Sequence, residues 1–178
     1  MNKEQVILVD EWDSELGFME KIEAHEKALL HRAFSVFIFN DDGELLLQQR
    51  AVSKYHSGGL WTNTCCSHPR PGETTIDAAK RRLKEEMGFE TGLYKAFDFV
   101  YKSNFENGLT EHEFDHVFIG YYNGIVLPDH NEVENYAFRS LDKISEYMLS
   151  HPDFFTSWFH IAFPRVKLWV EEKKTLVV

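Results

Sequence analysis

Few residues in this chain are equipped for chemistry, and they are unevenly placed. The stretch "WTNTCCSHP" at 61–69 sets Cys65 beside Cys66, with His68 two residues on, and the chain has no third cysteine. A disulfide between neighbours is sterically poor, because a relaxed bridge wants Cα atoms about 4.4–6.8 Å apart and defined torsions. Three uses remain for that sulfur: a small core residue, a metal ligand or a reactive thiol. His25 and His31 are six residues apart, out of phase on a straight helix, so they can meet only where the chain bends between them. In "LTEHEFDHVF", Glu111 and Glu113 would share one face of a strand, roughly 6.5–7 Å apart, with His112 on the other. An exposed acidic strand end would read the same way. If gathered, His25, His31, His68, Glu111 and Glu113 would make a mixed nitrogen and oxygen site for one divalent ion such as Mn²⁺, Mg²⁺ or Zn²⁺. Spacing alone does not gather them. Further on, Arg82 and Glu86 are four apart and share a helix face with Glu85 beside them, a pattern that also fits a solvated intrahelical ion pair.

These residues need a frame to position them. With 178 residues, 43% hydrophobic and 15% aromatic, the chain can bury a sizeable core, and one domain spanning 1–178 is expected. The formal net charge of −10 speaks against nucleic acid and anionic membrane as partners, although local basic residues can still grip a small anion. The apolar run near the N-terminus is too short for a secretory signal, and no uninterrupted apolar stretch is long enough to span a bilayer. With only a vicinal cysteine pair, a reducing, cytoplasmic address is expected. "QVILV" reads as a strand, and "HRAFSVFIFNDDGELLLQQR" as a hairpin turning at Asp42-Gly43. Residues 51–73 read as a long polar loop, of the kind that often carries function. Thr74 or Thr75 caps a helix over "TTIDAAKRRLKEEMG", with Ile76, Ala79, Leu83 and Met87 at helical spacing and Gly88 as its stop. "KIEAHEKALL" is helical before the strand near His31, strands are expected at 94–102, 112–122 and 133–139, and helices at "SLDKISEYMLS" and 153–173. The sum is a mixed α/β domain.

Two resemblances follow from motifs. The segment from Ser67 to Phe89 resembles the Nudix box, and Glu73, Arg81, Leu83, Glu85, Glu86, Gly88 and Phe89 fit it. Ser67 stands where the box has Gly, and Arg82 where it has the first Glu of its carboxylate cluster. That cluster exists to hold Mg²⁺, which in turn holds a diphosphate, so an arginine there exchanges a metal ligand for a direct phosphate contact. Along nearly the whole chain, "EKIEAHEKALLHRAFS", "LLLQQRAVSKYHSGGLWTNTCCSHPRPGE", "RRLKEEMG", "ENGLTEHEFDHVF" and "FTSWF", in this order, are similar to type 1 isopentenyl-diphosphate Δ-isomerase, a Nudix-fold branch. The resemblance implies an α/β/α sandwich around a mixed β-sheet. It implies one divalent metal on His25, His31, His68, Glu111 and Glu113, catalysis by Cys66 and Glu113, and Tyr101 and Trp158 flanking the hydrocarbon. Lys21, Arg50, Lys54 and Arg82 would grip the diphosphate, with Mg²⁺ on Glu86 and the main-chain carbonyl of Cys66. Cys65 inherits no role. The His25–His31 interval is one residue shorter than in bacterial members, so the His25 arm is where this chain departs.

The chemistry supplies its own reason for these residue types. Moving a double bond along an unactivated alkene takes a proton on at one carbon and off at another, through a tertiary carbocation or something near it. Such a site needs an acid and a base on opposite faces of a flat unit, a dry pocket and an electron-rich wall. It needs no redox cofactor. The expected partner is a small prenyl diphosphate, and the expected state a monomer or weak homodimer. Two other readings compete. A Nudix hydrolase of nucleoside or prenyl diphosphates is disfavoured by Arg82 and by Cys66 ahead of His68. A non-enzymatic metal- or diphosphate-binding module is disfavoured by the intact Cys66 and Glu113.

Overall fold

The computed structural model describes residues 4–175, with side chains to 173. Its chain order is β1 (Gln5–Val9), β2 (Glu15–Glu20), α1 (Lys21–Glu26), β3 (His31–Phe39), β4 (Leu45–Arg50), β5 (Trp61–Thr62), β6 (Cys65–Ser67), α2 (Thr75–Met87), β7 (Leu93–Asn104), β8 (Thr110–Tyr121), β9 (Val133–Arg139), α3 (Leu141–Ser150) and α4 (Ser157–Thr175). Among the described residues these strands form one mixed sheet, in which β3 and β8 run parallel from His31↔Glu113 to Phe39↔Tyr121 and the other pairings are antiparallel.

The strands at the centre read as near-continuous apolar runs because both faces are covered. On β3, Phe34, Val36 and Ile38 pack with Ala78, Ala79, Leu83 and Met87 of α2. The alternate residues Phe37 and Phe39 pack with Ile144 of α3 and Phe159, Ala162 and Phe163 of α4. The period of two thus makes an α/β/α sandwich from a single strand's sequence. Helix α2 starts where Thr74 caps it, accepting from the Asp77 amide, and ends at Gly88 in the left-handed conformation (φ 77°).

Four expectations change. The hairpin turns at Asp42-Gly43 as expected, with Asn40 N–H donating to the Glu44 carbonyl at 3.0 Å, but its arms pair only at Phe39↔Leu45, after which β4 takes β9 and β5 as neighbours while β3 takes β8 and β6. The two arms diverge because each finds a longer partner elsewhere. The 51–73 loop contains β5 and β6, and Ser35↔Cys66 and Val36↔Cys65 attach it to β3. The helix expected over "KIEAHEKALL" stops at Glu26 and gives way to Ala28 at φ 53°. The C-terminal helix begins at Ser157, later than 153, after a short 3₁₀ turn at Pro152–Phe154. β2 was not anticipated, and it pairs along β1 from Gln5↔Glu20.

Candidate active site

The face of the sheet under α4 is apolar at Phe37, Phe39, Val117 and Ile119. Continuing along the same faces, it turns polar: Ser35 and His31 flank Ala33 on β3, and Asp115, Glu113 and Glu111 follow on β8, all buried. Strand pairing brings further groups to this patch. Parallel register sets His31 beside Glu113, and antiparallel register sets Tyr101 of β7 opposite the same glutamate. His112 turns to the other face, where its Nδ1 donates to the Ala28 carbonyl at 2.9 Å. His68 follows β6, and His25 arrives from α1 by the bend at Ala28. One ligand atom from each of His25, His31, His68, Glu111 and Glu113 lies within 4.8 Å of all the others. The shorter His25–His31 interval therefore still closes.

This arrangement suits a cation. His25 Nδ1 donates to the Lys21 carbonyl at 2.6 Å and His31 Nδ1 to the Leu29 carbonyl at 2.8 Å, which leaves each Nε2 a lone pair facing inward. His31 Nε2 and His68 Nε2 lie 3.2 Å apart, and His68 Nε2 lies 2.7 Å from Glu113 Oε1. His25 Nε2 and Glu111 Oε2 are buried with no hydrogen-bond partner. Orphaned acceptors at the meeting point of three imidazoles and two carboxylates are what a divalent ion would satisfy. Burial holds the His31 imidazole down to about 4, and burial with the neighbouring His31 holds His68 well below the usual range. Both are neutral, as ligation requires. Burial, followed by the charge of Glu111, raises Glu113 well above the carboxylate range, whereas Glu111 stays low against its own burial through contacts with Glu113, His25 and His56.

Cys65 and Cys66 part company because successive strand residues face opposite ways. Cys65, opposite Val36, is fully buried among Leu83, Met87 and their neighbours. Cys66, opposite Ser35, turns to the polar face and lines the pocket with Glu113, Tyr101 and Trp158. Burial pushes its thiol up to about 12 while the Arg50 guanidinium, 3.9 Å from Sγ, pulls the other way. Tyr101 donates to Glu113 Oε2 at 2.6 Å. Trp158 is 3% exposed, and its indole N–H donates to Asn63 Oδ1 at 3.2 Å while its ring faces Arg50 at 5.3 Å.

Lys21, Arg50, Lys54, Arg82 and Glu86 line the same pocket, and their charges are met by protein groups. Lys21 reaches Glu4 at 3.2 Å and lies over the Tyr55 ring, and Lys54 pairs with Glu132. Arg82 meets Glu86 at 2.6 Å, Glu85 at 2.8 Å and Glu132 at 3.2 Å. Glu86 takes Arg82 on one oxygen and Gln48 at 3.0 Å on the other, so each oxygen keeps a lone pair for a cation. Sequence reasoning missed Tyr55, His56, Asn63 and Glu132. Tyr55 and His56 adjoin Lys54, and Asn63 lies three residues before Cys66, so proximity in sequence was a usable signal. Glu132 offered none.

Comparison with known proteins shows the family. The NUDIX domain matches residues 29–159. An isopentenyl-diphosphate Delta-isomerase of Pectobacterium atrosepticum is 51% identical over 162 residues, covering 91% of this chain and 90% of its own. One from Burkholderia multivorans is 51% identical over 166 residues, covering 93% and 94%. Among solved structures, DR0079 from Deinococcus radiodurans superposes with a TM-score of 0.69 at 19% identity, covering 83% of this chain and 90% of that one, and this shows the shared fold alone. With near-full-length identity of about half, the chain belongs to the isopentenyl-diphosphate Delta-isomerase family of NUDIX-domain proteins.

Proposed function

We propose that this enzyme converts isopentenyl diphosphate to dimethylallyl diphosphate, the reaction for which its relatives are named. The observation that carries the reading is one pocket that holds Cys66 and the Glu113–Tyr101 pair together with the cations Arg50, Lys54 and Arg82, with Arg50 3.9 Å from Cys66 Sγ. In this reaction a proton is added to the terminal carbon of the double bond and another is lost from the carbon beyond the branch. Positive charge resides on the branch carbon in between, and atoms and charge balance with no oxidant. Cys66 and Glu113 exchange those protons, one as donor and the other as acceptor. Burial raises each above its ordinary value, so whichever carries the proton holds it at neutral pH, while the other must stand ionised to take up the proton that is lost. Tyr101 fixes the Glu113 carboxyl through its hydrogen bond, and the Trp158 face lends electron density to the developing cation. Binding energy gathered at the diphosphate end holds the alkene in place between the two proton carriers.

His25, His31, His68, Glu111 and Glu113 would hold one divalent ion, with Mn²⁺, Mg²⁺ and Zn²⁺ all compatible with the donor set. When bound, that ion supplies a fixed positive charge that orients Glu113 and favours its ionised form. Glu86, with the Cys66 main-chain carbonyl, is the proposed hold for Mg²⁺ arriving with the diphosphate. Arg82 at the site of a hydrolase carboxylate favours gripping the diphosphate over cleaving it. We place the enzyme in the cytoplasm, where a free Cys66 persists, as a single domain acting as a monomer or weak homodimer on a small molecule, without nucleic acid or membrane. Among the described residues no helix is long and apolar enough to cross a membrane.

Incubation of metal-supplied protein with isopentenyl diphosphate in D₂O, followed by NMR and a phosphate assay, tests the reading. Dimethylallyl diphosphate carrying deuterium in a methyl group, with no phosphate release, is expected. Phosphate release without isomer would overturn it.

A further inference from the structure

His56 lies in the 51–60 connection, and no step of the isomerisation uses it. It is nonetheless only 6% exposed. Its ring stacks on Phe105 at 4.5 Å between centroids, with planes 11° apart, and meets Tyr55 edge-on at 4.4 Å and Trp158 edge-on at 6.0 Å. The Ser57 hydroxyl lies 3.2 Å from Nδ1 and can donate to it, which leaves the ring proton on Nε2. Nε2 in turn lies 2.7 Å from Glu111 Oε1. The approach is off the axis of a straight hydrogen bond, so the contact is a short ion–dipole one, and Oε2 of the same carboxylate has no hydrogen-bond partner. On the main-chain side, the His56 carbonyl accepts from Arg50 Nη2 at 3.3 Å. A single loop residue therefore touches a carboxylate of the candidate metal cluster, the Arg50 guanidinium and the Trp158 indole.

We propose that His56 is a positioning residue of the metal centre, which holds Glu111 at Oε1, the oxygen that lies 3.6 Å from His25 Nε2, and so ties the 51–60 connection to the metal. The proposal rests on the reading that the five-residue cluster holds a divalent ion. A buried carboxylate with one oxygen unheld can rotate, and groups that hold a ligating carboxylate in place typically contribute about ten- to a hundredfold in metal affinity. Stacking on Phe105 does not require histidine, because a phenyl ring would stack as well. What only the imidazole adds here is Nε2 against Glu111.

Mn²⁺ binding to the full chain without substrate, measured by competition with a chelating indicator, tests this. His56→Phe keeps the stack and removes Nε2, and His56→Gln carries an amide nitrogen to about the same place. His56→Phe is expected to weaken Mn²⁺ binding about ten- to a hundredfold, His56→Gln to recover most of it, and the chelator-stripped variants to melt with the stripped wild type. Unchanged Mn²⁺ affinity in His56→Phe overturns the proposal, as does an equal loss in both variants accompanied by a lower melting point, which would mean packing alone. If His56→Phe does not fold, His56→Asn, too short to reach Glu111, takes its place with the same two outcomes. Wild-type protein that binds no Mn²⁺ would instead remove the metal-site reading itself.

Discussion

At the scale of single residues, the adjacent cysteines separate two roles that sequence leaves open. One residue of strand alternation sends Cys65 into the α2 core and Cys66 into the pocket. We expect Cys66→Ala and Glu113→Gln each to remove most isomerase activity, read by NMR turnover, with circular dichroism unchanged. Cys65→Ala should do the reverse, keeping turnover while losing about 1 kcal/mol of stability for a small core void. Near-normal turnover in Cys66→Ala would take the thiol out of the chemistry. Arg82 shows the same division between what sequence suggests and what neighbours decide. Its pairing with Glu86 at i+4 was legible, but Glu132, which meets both Arg82 and Lys54, comes from a distant connection that no local spacing announces.

At the scale of elements, the loop before α2 is stapled to the helix by Glu73. Its two oxygens take Arg81 Nε at 2.7 Å and Nη2 at 2.8 Å, and Oε2 also accepts the Arg70 amide at 3.0 Å. The Arg81 hydrogen bonds hold the Glu73 carboxyl below its ordinary 4.5. A depressed carboxylate stabilises the fold above its unfolded-state pKa and stops doing so as pH falls through its folded-state value. The stability gap between wild type and Glu73→Gln, measured by urea titration, should therefore be level at neutral pH and narrow only below about pH 4.5. A gap that narrows between pH 8 and 6 would assign it another origin. At the other end of α2, Gly88→Ala forces a left-handed alanine whose Cβ would lie 2.2 Å from the Leu127 carbonyl oxygen. We expect a loss of at least about 2 kcal/mol in the same titration; a loss under about 0.5 kcal/mol would show that the connection yields freely. This helix was readable because its cap, its apolar spacing and its stop are local signals that agree. At Asp42-Gly43 the turn was legible but the short pairing of its arms was not: turn chemistry is local, whereas β3 chooses β8, whose strand lies far along the chain. The bend that delivers His25 turns on Ala28, a residue with no turn signature, so only the need for convergence hinted at it.

At the scale of the whole molecule, the candidate metal cluster joins segments that share no local element: α1, β3, the end of β6 and β8. The polar half of an otherwise apolar sheet face was visible in sequence as Glu111, Glu113 and Asp115 alternating ahead of Val117 and Ile119, but its partners required the parallel register of β3 on β8. A site built this way exists only in the folded chain, so an ion that binds it stabilises the fold by mass action. Free metal at a hundred times its dissociation constant adds about 2.7 kcal/mol. For a chain of this size each kcal/mol moves the melting midpoint by about 2–4 °C, so loading should raise it by roughly 5–11 °C. Calorimetry of chelator-stripped protein against protein refilled with Mn²⁺ or Zn²⁺ checks this, and His31→Ala, which removes a fully buried ligand, should show almost none of the rise. The orphaned His25 Nε2 and Glu111 Oε2 are the physical reason to expect a gain: in the stripped protein they are desolvated without a partner, and the ion supplies one. Equal midpoints for stripped and refilled wild type would mean that the cluster satisfies itself, and the divalent ion would then have no place in the fold.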